Sequence, residues 1–360
     1  MQIRTGEIVH MKMYDVADEI RLDTLPPDVF AGRLPVRQSL VRVETKSIEL
    51  VNPPVAVDLG PRAWVTSSGR IVFDLSAHFF DVGVVCLIMR VPVRNLELSA
   101  FTETALSMDP DPEIDRMLDW EIEQIIHGIG ACLTRQHGFA DFQEEYTFYI
   151  LKDTDEPVSF DTFRNYPTLL SMLLGERAPV SRQQTDMMAD NAFSFSDDEL
   201  VLLNYDNALI VDRKEAADIL LLLEYAVVQV LEARYYDETL TAKLQGLYRD
   251  MDTPMPFLTA LFSSRWSNLA RRGMKLILET RLMTDHLTTS VRVTEDVYYA
   301  QIYTRALRIF RTQTWLAKID EKLASMKDAY ELMENEIDSK RSTVLEWIVI
   351  ILIAMELVRL

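Results

Sequence analysis

The sequence predicts an α+β protein: a mixed, β-rich N-terminal half, then a long helical hairpin or coiled-coil arm, then a hydrophobic C-terminal helix. Three observations carry that expectation. Val- and Ile-rich runs interrupted by Pro26-Pro27 and Pro53-Pro54 fill the early part of the chain, the pattern of strands bounded by breakers. From Arg213 onward apolar residues recur at helical spacing. Beyond residue 343 comes an unbroken apolar run, Trp347 to Met355. The expected divisions are an α+β domain over 1–155, a linker with a strand pair over 156–212, a helical arm over 213–343 and an apolar tail over 344–360.

Taken in order, residues 6–14 and 36–57 read as strands. Residues 69–93 read as a hairpin: GRIVFDLS leads into HFFDVG and VVCLIMRVPV returns. The returning strand is apolar almost throughout, so both of its faces are expected to be covered. Asp109-Pro110-Asp111-Pro112 opens a helix running to about Ile129, because proline and acids favour a first turn. A strand follows at 145–153, a polar loop at 176–198, and a strand pair over 199–212 that turns at Tyr205-Asp206-Asn207. Helices are expected over 213–249, which Pro254 and Pro256 end, over 257–289 and over 294–358.

Composition narrows the function classes. The 360 residues carry a net charge of −19, which disfavours a chain-wide nucleic-acid surface. Eleven glycines argue against Gly-rich cofactor loops. Cys86 and Cys132 make neither a disulfide framework nor a cysteine zinc site, and fit a reducing compartment. The N-terminal stretch has no apolar signal region and carries Glu7, Asp15, Asp18 and Glu19, unlike a secretory or mitochondrial leader.

The last helix repeats Trp315, Ile319, Leu323, Met326, Tyr330, Met333 and Ile337 at steps of three and four. That is a coiled-coil seam, which either packs on the chain's own neighbouring helix or self-associates. In the tail, Trp347, Ile348, Ile350, Ile351, Leu352, Ile353 and Met355 lie between Glu346 and Glu356. Seventeen residues span only about 25 Å as a helix, against a hydrocarbon thickness of ~30 Å. The tail is therefore read either as a short membrane anchor with its charges at the interfaces or as a plug between subunits.

LEWIVIILIAMELV resembles the C-terminal signature of the "required for meiotic nuclear division" family, also called YagE-like. LLNYDNALIVD, LLLEYAVVQVLEARYYDETL and TWLAKIDEKLASMKDAYELMENEIDSKRST look similar too, so the resemblance covers about 199–360. It implies a membrane-associated, non-enzymatic bacterial relative with a C-terminal transmembrane segment, and it carries over no catalytic residues.

Chemical motifs are sparse. Asp119, Glu123 and His127 fall on one helix face at steps of four, a spacing that could chelate a divalent ion or simply be a solvated acidic face. No GxxxxGK[ST], GxGxxG or GxSxG occurs, and no cofactor is expected. Residues 261–318 hold ten Lys and Arg against four acids. The group includes Arg265, Arg271, Arg272, Lys275, Arg305 and Arg308, and it could face lipid headgroups, nucleic-acid phosphates or the acidic front half. The expected function is a non-enzymatic scaffold or tether on the cytoplasmic side of the inner membrane, held by its tail. The alternatives are a homo-oligomer with the tail buried between subunits, and a carboxylate–metal hydrolase or nuclease in the N-terminal half. The partners expected are copies of the chain and membrane lipid, with nucleic acid disfavoured.

Overall fold

The computed structural model describes residues 1–38, 48–66, 69–108, 112–140, 142–164, 166–176, 178, 180–196, 199–212, 216–252, 265–289, 291–293 and 297–359. The chain forms two compact units: Met1–Glu232 with Leu287–Thr312, and Ala233–His286 with Gln313–Leu360.

The first unit is built on a nine-stranded sheet. Its central strand β1 (Gln2–Asp15) pairs antiparallel with β7 (Val84–Glu97) on one side and β9 (Gln143–Thr154) on the other. Outward from β7 come β6 (Gly69–Phe79), β5 (Val55–Thr66) and the two-residue β3 (Val36–Arg37). Outward from β9 come β12 (Asn207–Val211), β11 (Leu200–Leu203) and β10 (Ala192–Phe193). The β12–β9 pair is parallel. Two small ladders lie apart from the main sheet: β2 (Ala17–Ile20) with β8 (Leu133–Gln136), and β4 (Ile48–Leu50) with β13 (Val291–Val293).

The β6–β7 hairpin turns where the sequence suggests, at Asp81-Val82-Gly83. Gly83 has φ +102°, and a Cβ there would run into the carbonyl of Ala17. Only glycine can hold this close approach, across which the Val16 amide donates to the Gly83 carbonyl at 3.1 Å.

Alternation along the strands splits the sheet into two buried faces. Ile8, Tyr14, Leu87, Met89, Tyr149 and Leu151 point to one of them. There they meet Phe101 and Ala105 of α1 (Leu98–Met108), Leu118, Ile122 and Ile126 of α2 (Pro112–Ile129), and Leu169 and Leu173 of α4 (Pro167–Leu173). Two further short helices, α3 (Phe160–Arg164) and α5 (Arg182–Ala189), occupy a stretch that the sequence suggests is linker and loop. The Ser181 hydroxyl caps α5 by accepting from the Gln184 amide at 3.2 Å, an interaction worth ~1 kcal/mol.

On the opposite face lies the first part of α6 (Ala216–Asp252). Every residue from Ile219 to Glu232 is buried, as expected of a helix apolar all round. Each Leu, Ile or Val so covered contributes about 1.5–3 kcal/mol. Tyr225 meets Phe80 edge-on at 5.2 Å. α8 (Val297–Ile309) belongs to the same unit and buries Tyr299, Ile302 and Ala306.

The second unit takes up α6 from Ala233, α7 (Arg265–Thr289) as far as His286, and α9 (Thr312–Arg359) from Gln313. α9 crosses α7 where Gly273 leaves room for the Tyr330 ring; a Cβ at 273 would strike that ring. Lys322 on α9 anchors to α6, donating to the Asp237 carboxylate at 2.5 Å, the Asp237 carbonyl at 2.9 Å and the Thr241 hydroxyl at 2.6 Å.

The single helix expected over 294–358 is two helices. Arg311 takes the left-handed conformation at φ +56° and separates α8 from α9. Asp109-Pro110-Asp111, Pro254, Pro256 and the first part of the expected 257–289 helix lie outside the described residues.

Candidate functional site

The metal-like trio of Asp119, Glu123 and His127 does not come together. Asp119 accepts a hydrogen bond from the Tyr14 hydroxyl at 2.9 Å, while Glu123 and His127 stand exposed on α2. The carboxylates that do converge are Asp115, Asp119 and Glu145, and they converge on the buried ammonium of Lys12 at 3.0, 3.2 and 3.3 Å. Burial alone would lower the Lys12 pKa. The Asp115 hydrogen bond and the charges of Glu145, Asp115 and Asp119 outweigh it and raise the pKa above its ordinary value. Burial and the adjacent Asp119 likewise push the Tyr14 phenol far up, so it stays a donor. Among the described residues, no three His, Cys, Asp or Glu side chains are arranged to hold a metal.

A second polar centre faces α6. His78 of β6 places Nδ1 2.9 and 3.0 Å from the two carboxylate oxygens of Glu224, and Glu224 is buried. An ionised carboxylate only accepts, so a proton on Nδ1 completes the pair. Cys86, opposite His78 in the ladder, is pushed well up by burial and by the Glu224 charge, so it stays an unreactive thiol. Beside this pair lies a cavity of ≈ 280 Å³, to which Ser76, Arg90 and Asp58 also contribute. His78 and Glu224 are 146 positions apart, so no local motif could announce them.

A third centre is acidic and buried. Asp15 at the end of β1 and Glu232 on α6 are both buried. His137 Nε2 lies 3.2 Å from Asp15. Burial pushes the Asp15 carboxyl up to about 6, against the opposing effect of His137. Burial and the charges of Asp15, Asp18 and Asp81 push Glu232 well above the usual carboxylate range. His137, lowered by its burial but raised more by Asp15, ends above the ordinary imidazole value.

In the second unit the coiled-coil seam is filled from within the chain. Ile319, Leu323, Met326 and Tyr330 are buried there, and the side chains of Met333 and Ile337 lie outside the described residues. Of the basic group, Arg271, Arg272 and Lys275 stand exposed on α7 in this unit. Arg305 and Arg308 belong to α8 in the other unit, and the Arg265 side chain lies outside the described residues. The ten cations therefore do not belong to one hairpin.

The tail is bare. Leu345, Trp347, Ile348, Val349, Ile350, Ile351, Leu352, Ile353, Met355 and Leu357 are 47% to 70% exposed. They continue α9 around its whole circumference. Their exposed apolar area is on the order of 900 Å², above the ~300–600 Å² of the largest patch on a typical monomer.

A family model described as "Uncharacterized protein MJ0711, N-terminal domain" matches residues 5–218, from within β1 to the first turn of α6. The chain belongs to the MJ0711 family. The uncharacterized protein MJ0711 of Methanocaldococcus jannaschii is 22% identical over 251 residues, covering 66% of this chain and 72% of that protein. No solved structure matches. The MJ0711 match corrects the YagE-like reading. It falls on the sheet, whereas the resemblance rested on 199–360, and its most specific stretch was an Ile- and Leu-rich run of a composition that unrelated apolar helices share. The membrane anchor falls as well. Among the described residues, no helix is long and apolar enough to cross a membrane. Glu346, Glu356 and Arg359 interrupt the stretch that would have to span, so a transmembrane segment and attachment to the inner membrane are not supported.

Proposed function

We propose that this MJ0711-family chain is a non-enzymatic assembly scaffold whose copies are joined through the C-terminal part of α9. The observation that carries this reading is the all-round apolar exposure of residues 345–357. A two-stranded coiled coil buries only a narrow a/d stripe. A helix apolar on every side exposes more than such a stripe, and among the described residues none covers it. At ~25 cal/mol per Å², covering even half of this area offers on the order of 10 kcal/mol before the cost of association.

Sedimentation tests the reading. The full chain should sediment as an oligomer, and a chain ending at Ser339 should sediment as a folded monomer that still melts cooperatively. A full chain that stays monomeric and soluble across the accessible concentration range sinks it.

A further inference from the structure

The second unit exposes another apolar surface besides the tail. On α7, Gly273, Ile277 and Thr280 face inward and are buried. Met274, Leu278 and Leu282 recur at steps of four on a different face and are 55%, 58% and 59% exposed. Exposed apolar residues scattered singly need no explanation, but three in one row along two turns form a stripe. Arg271 and Arg281 bracket it. Both are exposed and make no ion pair among the described residues, while Lys275 alongside is taken by Glu279 at 3.6 Å.

The tail presents the complementary pattern. Its apolar run is bracketed by Glu346 and Glu356, which are exposed and also make no ion pair among the described residues. The two carboxylates are ten positions apart, as are the two guanidiniums, and each spacing corresponds to ~15 Å of helix. A continuous helix without Pro or Gly carries the tail away from its own α7: Trp347 lies 17 positions beyond the Tyr330 contact with Gly273, about 25 Å of rise.

From these matching lengths and opposite charges we infer that the tail of one copy docks on the α7 stripe of another, with Glu346 and Glu356 reaching Arg271 and Arg281. This rests on the assembly reading above and adds the address of the tail. Such a contact is heterologous, so each copy offers one donor tail and one acceptor stripe. Assembly then proceeds head to tail into a ring or an open chain rather than into a symmetric bundle of tails.

A mixing experiment tests this. One partner is the Leu278→Asp chain, whose stripe is spoiled and whose tail is intact. The other is the chain ending at Ser339, whose stripe is intact. Leu278 is exposed, so the change should leave the melting curve of the monomer in place. Each partner alone should be monomeric, and the mixture should form a one-to-one complex by light scattering. Arg271→Glu with Arg281→Glu should weaken assembly of the full chain at least tenfold, and adding Glu346→Lys with Glu356→Lys should restore it. If Leu278→Asp assembles like the parent, tails pack on tails; the docking site is then wrong while the assembly reading stands. A mixture that stays monomeric while the parent assembles also overturns the docking site. A parent that never assembles removes both.

Discussion

The run Ile8–Tyr14 in β1 and the run Trp347–Met355 in α9 are both mainly apolar, yet the chain treats them oppositely. β1 is central in the sheet, covered on one face by α1, α2 and α4 and on the other by α6. Its single charge, Lys12, is met by three carboxylates within 3.3 Å. Among the described residues the tail has no cover, and Glu346 and Glu356 at its ends make no ion pair. Apolar content thus specifies burial but not by whom. Where the cover lies inside the chain, even the exceptions to the pattern are compensated. Where they stay uncompensated, the cover is expected from outside.

Substitutions should therefore act on the fold in the covered regions and on assembly alone in the bare one. The largest effect is expected within the arm. Met326→Asp buries an unpaired charge and should cost about 3–5 kcal/mol of stability, whereas Ile350→Asp should leave the melting temperature of the monomer unmoved and abolish assembly. A matched pair of thermal melts separates the two; similar losses for both would erase the distinction.

Lys12→Ala comes next. It leaves Asp115, Asp119 and Glu145 facing one another and should cost on the order of 3 kcal/mol. Denaturant titration measures it, and a loss below about 1 kcal/mol would mean the ammonium is dispensable.

The acidic centre gives a pH signature of similar size. Burial pushes the Asp15 carboxyl up to about 6 in the folded state, above its ordinary value. Its contribution is full below the unfolded value and is lost as pH rises through 6, because the folded state then surrenders a proton it prefers to keep. The raised Glu232 and His137 act in the same direction. Unit 1 should lose roughly 3 kcal/mol between pH 4 and pH 7 through Asp15, and Asp15→Asn should flatten that slope. An unchanged slope in the variant would remove Asp15 from the account.

The smallest effect on stability belongs to the exposed cations. Arg271→Glu with Arg272→Glu should shift stability by no more than about 0.5 kcal/mol while weakening assembly, and a shift well beyond that in a denaturation curve would show that these side chains support the fold.

Much of this architecture is legible in the sequence, and the gaps have physical causes. The α+β class, the 69–93 hairpin, α2, β9 and the β11–β12 pair follow from local periodicity and turn residues. α3, α4 and α5 span 5, 7 and 8 residues, too short for a helical period to stand out against polar surroundings. The break between α8 and α9 falls on an arginine with positive φ, where no Gly, Asn or Pro signals it. The polar centres join residues more than 100 positions apart, and no spacing rule sees across that distance. A lysine inside the apolar alternation of β1 was the one local clue to the Lys12 centre. The tail was visible as apolar, but its surroundings were not, and the membrane reading filled that gap wrongly.

Hydrogen exchange followed across a concentration series compares the two regions in one experiment. If copies cover one another's tails, amides of residues 345–357 should exchange fast in dilute protein and become progressively protected as concentration rises, while amides of β1, β7 and β9 stay equally protected throughout. Tail amides that exchange at one unchanging rate across the series would contradict assembly through the tail.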